Sequence, residues 1–337
     1  MIKIVARFSM VIALLLAATN AKAQDPHFAG VQEMNTWYNP ALKTNKLPQA
    51  HLSFRSVNYP GITSYTSKAA TIELPLIGRD KDATDNIFFM NLTAGISTDN
   101  SGDKFMNAST AMLALSYALP LNDDNTCLAL GFQGNYSFNR FGTGNTYYYP
   151  AGFDKFGAFA SSMANDPLQS GYSFGYFTVG VGAAVFHTGE QKQWYIGGAI
   201  RHFNHPYTEW SHSVRLSAND GIQAGYTTAI SSVDAIGGYG NFSWQAGLQE
   251  LIIGALYTRK FSDGGDSGDN SDSTGNNSTN NSVYFGLAYR AGDAVIPNAG
   301  LVFGKNQFSF FYEINLSTTT SGPVTRHVFE FSYRRNL

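Results

Sequence analysis

Three histidines lie close together near the middle of the chain: His202, His205 and His212, on either side of Pro206. Three neighbouring imidazoles could bind a metal ion, or one could serve as a general base. They lack the i, i+4 spacing of a helical H-E-x-x-H zinc site, and on a strand His202 and His205 would face opposite sides. No nucleophile with a base and an orienting group, no Gly-rich phosphate loop and no Cys/His metal motif accompanies them. We therefore expect no catalytic residue, no metal site and no cofactor, and interpret these histidines as loop and interfacial residues.

Much of the chain alternates between apolar residues and small or polar ones. In 128–138 the even positions are Leu, Leu, Phe, Gly, Tyr and Phe, whereas the odd positions are Ala, Gly, Gln, Asn and Ser. Segments 241–249 and 307–317 repeat this pattern, with Phe311 as the exception in the second. Because a strand directs successive side chains to opposite faces, each segment has one apolar and one polar face. Many such strands behind an export signal predict an all-β fold, an antiparallel transmembrane β-barrel of the outer-membrane type.

The chain begins with the features of an export signal. Two basic residues precede an apolar run at 10–18, and an A-x-A sequence ends at Ala23, just before Gln24. The apolar run is too short to span a bilayer as a helix, which disfavours an N-terminal membrane anchor. We therefore predict a signal peptide over 1–23, with cleavage between Ala23 and Gln24.

The composition agrees with a barrel and excludes other classes. Charged residues make up 14% of the chain, well below the roughly 25% of globular proteins. The mean hydropathy is only −0.17, as expected when lumen-facing residues dilute lipid-facing ones. A net charge of −2 gives no reason to expect a nucleic acid as partner. Cys127 is the only cysteine, so an intramolecular disulfide is excluded.

The predicted organisation is a periplasmic lead-in over 24–49 and a barrel over 50–337. Fifteen segments have strand patterns: 50–57, 66–77, 87–97, 108–120, 126–139, 172–187, 192–202, 211–217, 222–231, 240–249, 251–260, 282–291, 296–304, 307–317 and 325–335. Bacterial single-chain barrels have even strand numbers, so we predict about fourteen strands. The weakest division lies within 211–231, which could be one bent strand with a bulge at 217–221. Turn residues predict connections at Asn219–Gly221 and Lys305–Asn306.

Three segments leave questions open. Both faces of 172–187 are apolar, so its lumen side could pack against a plug or an inserted loop, and the sequence does not decide this. The long loop 140–171 is rich in aromatic residues and is extracellular if the N-terminus is periplasmic. The loop 262–282 consists mainly of Ser, Gly, Asp, Asn and Thr, which indicates a solvated connection more than a Ca²⁺ site. Its side of the membrane depends on the number of strands.

Several short motifs occur in order along the expected mature chain. The first is the sequence from Gln24 to Phe28, followed by Asn39-Pro40-Ala41, and the next surrounds Arg55. The segment 194–206 ends with His202 and Pro206, and the last two motifs lie at 312–317 and 327–333. In this order and spacing the chain resembles the PorP/SprF family of type IX secretion system membrane proteins. The residues that match the family motifs, with no role assigned, are Asn39, Pro40, Arg55, His202, Pro206, Tyr312, Asn315, Ser317 and Glu330.

The resemblance implies a non-enzymatic outer-membrane barrel in Bacteroidota that supports protein export, including the adhesins of gliding motility. Its partners would be outer-membrane lipid and either a secreted cargo protein or the secretion machinery, through a periplasmic ring or peptidoglycan-binding component. Family members act in export, anchoring or surface attachment of cargo, and the motifs do not separate these roles. A passive porin or hydrophobic-solute channel is the alternative function.

Overall fold

The strands of this chain close into a barrel. The computed structural model describes residues 28–43, 47–59, 63–77, 89–101, 106–121, 125–141, 172–189, 191–208, 214–261, 281–316 and 326–337. In this part of the chain there are one short helix, α1 (Asn35–Tyr38), and fourteen strands. The strands are β1 (Gln49–Tyr59), β2 (Thr63–Ile77), β3 (Phe89–Ser101), β4 (Met106–Pro120), β5 (Thr126–Phe141), β6 (Tyr172–Thr188), β7 (Lys192–Arg201), β8 (Asn219–Ala229), β9 (Asp234–Gln245), β10 (Leu248–Lys260), β11 (Ser282–Arg290), β12 (Ala294–Phe303), β13 (Asn306–Asn315) and β14 (His327–Asn336). None of the described residues forms a helix long and apolar enough to cross a membrane.

Each strand pairs antiparallel with the next, and β1 pairs with β14 to close the sheet. Closure removes the edge strands, so every strand finds hydrogen-bond partners within the wall. In the closing ladder Arg55 lies opposite Glu330. The predicted barrel of about fourteen antiparallel strands is confirmed.

The two faces of the wall differ as the alternation predicts. On β5 the outward side chains Leu130 and Phe132 are 58% and 51% exposed, whereas Gln133 and Asn135 face the lumen and are buried. On β4 the outward row includes Leu115 and becomes polar towards one end, at Ser109. The exposed apolar rows form the lipid-facing surface of the barrel.

One predicted strand is wrong, and its removal gives the even count. Of 211–217, the described residues 214–217 lie in the connection before β8, with only an isolated bridge between Tyr207 and Arg215. The predicted turn at Asn219–Gly221 is also wrong, because these residues begin β8. The turn before Asn306 is confirmed at Gly304 and Lys305, where Gly304 has a φ of 57°.

The connections divide between two rims. The terminal rim is the end where β1 begins and β14 ends, and the far rim is the opposite end. With fourteen antiparallel strands, the connection between β5 and β6 lies at the far rim, and that between β10 and β11 lies at the terminal rim. The long loops predicted at 140–171 and 262–282, of which 142–171 and 262–280 lie outside the described residues, therefore leave from opposite ends of the barrel.

Three tyrosines on the lumen face lie flat against the wall. Each stands directly opposite a glycine of the next strand in the ladder, and its ring occupies the position that a Cβ of that glycine would need. The pairs are Tyr195 with Gly225, Tyr239 with Gly254, and Tyr284 with Gly300. The glycines thus allow the rings to lie along the wall.

Candidate functional site

The N-terminal segment of the described chain lies inside the barrel. Residues 28–43, which we call the plug, precede β1, and Ala29, Asn39 and Ala41 in it have no exposed surface. The expectation of a periplasmic lead-in over 24–49 does not hold for these residues, because they contact the lumen side of the wall over their whole length. Apolar side chains such as Val31 and Met34 account for this, since burial in the lumen removes them from water.

The start of the plug is bound by a buried carboxylate of β14. Ala29 N and Gly30 N donate to the two oxygens of Glu330 at 2.6 and 2.9 Å, and Glu330 is 1% exposed. Hydrogen bonds to a charged group are stronger than neutral ones. A Cβ on Gly30 would lie 2.9 Å from both Glu330 and the Phe311 ring, so this approach requires glycine.

The middle of the plug is the short helix α1 and the residues just before it. Trp37 Nε1 donates to Thr71 Oγ1 of β2 at 2.8 Å, and the Trp37 ring lies over Gly95 of β3. Earlier in the plug, Met34 Sδ accepts a hydrogen bond from Ser53 Oγ at 3.5 Å. These contacts hold the middle of the plug against β1, β2 and β3.

Tyr38, the last residue of α1, contacts both the start of the plug and the end of β7. Its hydroxyl accepts a hydrogen bond from Phe28 N at 3.3 Å, and the Arg201 guanidinium lies 5.5 Å from its ring centroid. Burial raises the pKa of the Tyr38 phenol to about 12, so the group stays neutral.

Asn39 binds three acceptors on the opposite side of the lumen. Its Nδ2 donates to the carbonyl oxygens of Ala183 and Gly198 at 3.4 and 3.2 Å and to Gln223 Oε1 at 3.1 Å. Its Oδ1 accepts from Ala41 N at 2.9 Å, which fixes the turn through Pro40. The Asn39 amide thus fixes both the shape of the plug and its position on β6, β7 and β8.

Three wall glycines make room for this turn. A Cβ on Gly131 would lie 2.5 Å from Ala41 N, one on Gly197 would lie 2.8 Å from Asn39 Nδ2, and one on Gly182 would overlap Asn39 Oδ1. A side chain at any of the three positions would displace the plug from the wall.

Contact with the plug also explains why both faces of the strand 172–187 are apolar. On β6 the lumen-facing residues Ala184 and Phe186 are buried and pack with Ala41 and Leu42 of the plug. Of the alternatives left open by the sequence, contact with a plug is therefore correct. Phe311, the exception to alternation on β13, likewise faces the lumen in one cluster with Ala29 and Val31 of the plug.

The plug leaves the lumen at the terminal rim. Lys43 forms an ion pair with Glu73 of β2 and donates to Gln49 Oε1 and Leu47 O at 3.1 and 3.0 Å. Burial lowers the pKa of Lys43, and the charge of Glu73 opposes this effect. Lys43 thus ties the end of the plug to the start of β1.

A cluster of buried ions lies on the wall beside the plug, towards the far rim. Three arginines converge on Glu313 of β13, which is 1% exposed: Arg55 at 2.9 Å, Arg290 at 2.8 Å and Arg326 at 3.3 Å. Asp293 pairs with Arg290 and Arg326 at 3.1 and 2.8 Å. The cluster connects β1, β11 and β13 to two far-rim connections.

The buried carboxylates of the lumen serve to bind other groups of the protein. Both carboxylates of the ion cluster are occupied by arginines, and Glu330 is occupied by backbone amides. Within the described ranges, no three or more His, Cys, Asp or Glu side chains are arranged to hold a metal ion.

Comparison with known families gives the chain its classification. The model of a family described as type IX secretion system membrane protein PorP/SprF matches residues 20–333. The chain belongs to this family. No curated protein matches it.

Solved barrels with little sequence similarity resemble this PorP/SprF protein in outline. A FadL homologue from Pseudomonas aeruginosa is 10% identical, with 88% of this chain and 92% of that chain covered and a TM-score of 0.48. The monoaromatic hydrocarbon channel CymD is 10% identical over 94% and 95% of the two chains, with a TM-score of 0.48. The toluene transporter TodX from Pseudomonas putida is 7% identical over 95% and 96%, with a TM-score of 0.48.

Four of the PorP/SprF motif residues named from the sequence lie in the lumen. Asn39 and Pro40 form the turn of the plug against one side of the wall, and Glu330 binds the start of the plug on the other side. Arg55 lies opposite Glu330 in the closing ladder, faces the lumen and pairs with Glu313.

The other motif residues lie elsewhere. His202 follows β7 with a φ of 58°, and Pro206 lies in the connection after it at the far rim. Tyr312 faces outward, its hydroxyl 3.0 Å from His327 Nδ1. Asn315 ends β13. Ser317 lies outside the described residues, as does His212.

Sequence reasoning missed the ion cluster and did not identify residues 28–43 as the plug. Arg290, Arg326 and Asp293 are far apart in sequence from Arg55, and no local pattern connects them. The plug did leave a signal: Phe28, Val31 and Met34 recur every third residue in a segment that an aqueous lead-in would leave polar.

Proposed function

We propose that this protein is a non-enzymatic outer-membrane scaffold of type IX secretion, which supports the export, anchoring or surface attachment of cargo proteins. The family membership supports a role in this secretion system. The observation that favours a scaffold over a passive channel is the plug, because residues 28–43 occupy the lumen that a channel would need open.

We infer the orientation from the longest connection, 142–171, because outer-membrane barrels have short periplasmic turns and longer extracellular loops; the connection 262–280 is the exception. We place the terminal rim, where β1 begins and β14 ends, in the periplasm. The far rim then lies on the outside of the cell. The connection 142–171 is then extracellular and available to cargo, while 262–280 is periplasmic. The terminal rim would face the ring or peptidoglycan-binding components of the machinery. Loops on a rigid scaffold are a common place for such binding.

Deletion of the gene tests this proposal. We expect the deletion strain to lose one or more large proteins from its surface or culture fluid, measured by proteomics of both fractions. Liposomes that contain the purified protein should swell slowly in small sugars. Replacement of 142–171 by a short Gly/Asn turn should leave the barrel folded but reduce export or surface retention of the same proteins.

The matched comparison is the deletion strain complemented with the intact gene. An unchanged set of surface and secreted proteins, together with rapid swelling of the liposomes, would mean that the protein is a porin or hydrophobic-solute channel and that the secretion proposal is wrong.

A further inference from the structure

Neutral polar side chains cover one side of the lumen wall. They come from β5 and β6 and, beyond β7, from β8 and β9; each is buried, and Gln223 contacts Asn39 of the plug. These residues are Gln133, Asn135, Thr178, Gln223 and Asn241. Amides and hydroxyls of this kind line aqueous pores, whereas a permanently dry core would be apolar.

The plug does not satisfy all of these groups. Within the described part of the chain, the side-chain carbonyl oxygens of Gln133, Asn135 and Asn241 have no hydrogen-bond partner, nor does that of Asn298 on the opposite side of the lumen. A buried polar group without a partner costs about 1–3 kcal/mol. Water would satisfy these oxygens in an open lumen, so the lining is compatible with a hydrated state.

The plug can also leave without opening the wall. All fourteen strands pair with one another, and β1 pairs with β14, so no ladder hydrogen bond involves the plug. Before Lys43, the polar contacts of the plug with the wall involve Glu330, Thr71, Ser53 and the acceptors of Asn39, and Glu33 of the plug contacts Gln307, Ser309, His51 and Arg334. Release of the plug would therefore break local contacts only.

We propose that this barrel is a gated pore: residues 28–43 leave the lumen as a unit, and the open barrel conducts water, small ions and uncharged hydrophilic solutes. This activity goes beyond the proposed role in secretion. The plugged structure is the closed state. The lining over β5 to β9 is neutral, while Glu330 and the ion cluster put charges of both signs on the opposite wall.

Single-channel recording in planar bilayers tests the gate. The intact protein should be mostly closed with rare openings, whereas a variant that lacks residues 24–43 should stay open. A synthetic peptide of residues 28–43, added to this variant, should block it. The same peptide with Asn39→Ala should block roughly tenfold more weakly, because the three bonds of the Asn39 amide to the wall are lost, and tenfold corresponds to a net ~1.4 kcal/mol. A truncated barrel that conducts no better than the intact protein would overturn the proposal.

A second variant keeps the full chain, in case the truncated barrel fails to fold. Met34 and Ser53 contact each other across the plug and wall, so Met34→Cys with Ser53→Cys, in a Cys127→Ala background, should lock the plug by a disulfide. Openings should be absent after oxidation and return after reduction, while single Met34→Cys and Ser53→Cys variants should respond to neither. Openings that persist in the locked protein would show that the plug is not the gate.

Chemical labelling gives an independent readout in the same background. Gln133→Cys lies in the lumen beneath the plug and should react with a charged thiol reagent only when the plug leaves. Its reaction should be fast in the truncated barrel and slow in the disulfide-locked one. Equal rates in both would contradict plug release. The outcome is separate from the secretion test, because it measures the lumen and not the exported proteins.

Discussion

At the scale of single residues, the ion cluster depends on Glu313. Three guanidinium groups lie within 3.3 Å of its carboxylate. Glu313→Gln removes the charge that compensates them, and we expect it to lower the free energy of unfolding by about 3–5 kcal/mol, since it leaves buried cations without their counter-ion. Urea titration of the refolded protein in detergent, followed by the heat-modifiable gel shift, measures the change.

Asp293→Asn is the matched control for this substitution. Asp293 belongs to the same cluster, but its side chain is 26% exposed. Because solvent screens its charge, Asp293→Asn should lower the free energy of unfolding clearly less than Glu313→Gln does. Equal effects of the two substitutions would show that Glu313 is not the centre of the cluster.

Asn39, Pro40, Arg55 and Glu330 match family motifs in the sequence, which assigns them no role, and the structure shows what they touch in the lumen. Their partners could not be predicted, because Ala29 and Glu330 are separated by 301 positions, and only closure of the barrel brings them together.

At the scale of elements, the Tyr–Gly pairs restrict which residues can replace the wall glycines. A Cβ on Gly254 would overlap the Tyr239 ring, so Gly254→Ala should cost about 1–3 kcal/mol through overpacking. Gly240→Ala on the outward face of β9 meets no atom closer than 3.9 Å and should be near neutral or slightly stabilising. Thermal unfolding followed by circular dichroism would compare the two, and a more harmful Gly240→Ala would refute the ring-over-glycine account.

The lipid-facing row of β4 can be used to test where the lipid belt lies along the strand. Leu115 faces outward between apolar neighbours, so Leu115→Arg should cost about 2–4 kcal/mol if it lies near the bilayer midplane. Ser109→Arg, on the same face of the same strand but nearer the far rim, should cost at most about 1 kcal/mol. Folding into phosphatidylcholine vesicles, titrated with urea, gives both values. Similar costs would mean that the lipid belt lies elsewhere on β4.

Strands with one lipid face and one polar face were predicted well, because alternation follows directly from that geometry. The failures have a common physical cause. The segment 211–217 alternates in sequence, but its described residues 214–217 lie in a connection, where an isolated bridge at Arg215 takes the place of a strand ladder. The apolar lumen faces of β6 and β13 broke the pattern because they contact the plug and not water.

At the scale of the whole molecule, the even strand count places the two longest connections on opposite rims. A short epitope tag within 142–171 should bind antibody on intact cells, whereas the same tag within 262–280 should bind only after the outer membrane is permeabilised. Flow cytometry of the two tagged strains measures this. Labelling of both tags on intact cells would contradict the fourteen-strand topology.

The contact between the plug and Glu330 also sets an order of events in time. Residues 28–43 are among the first that the ribosome makes, and β14 is the last strand. The binding site for the start of the plug does not exist until β14 has paired with β1, because Glu330 belongs to that final ladder. The plug, which precedes every described strand in the sequence, therefore docks last. Until then its apolar side chains stay exposed, which gives periplasmic chaperones a defined segment to hold during assembly.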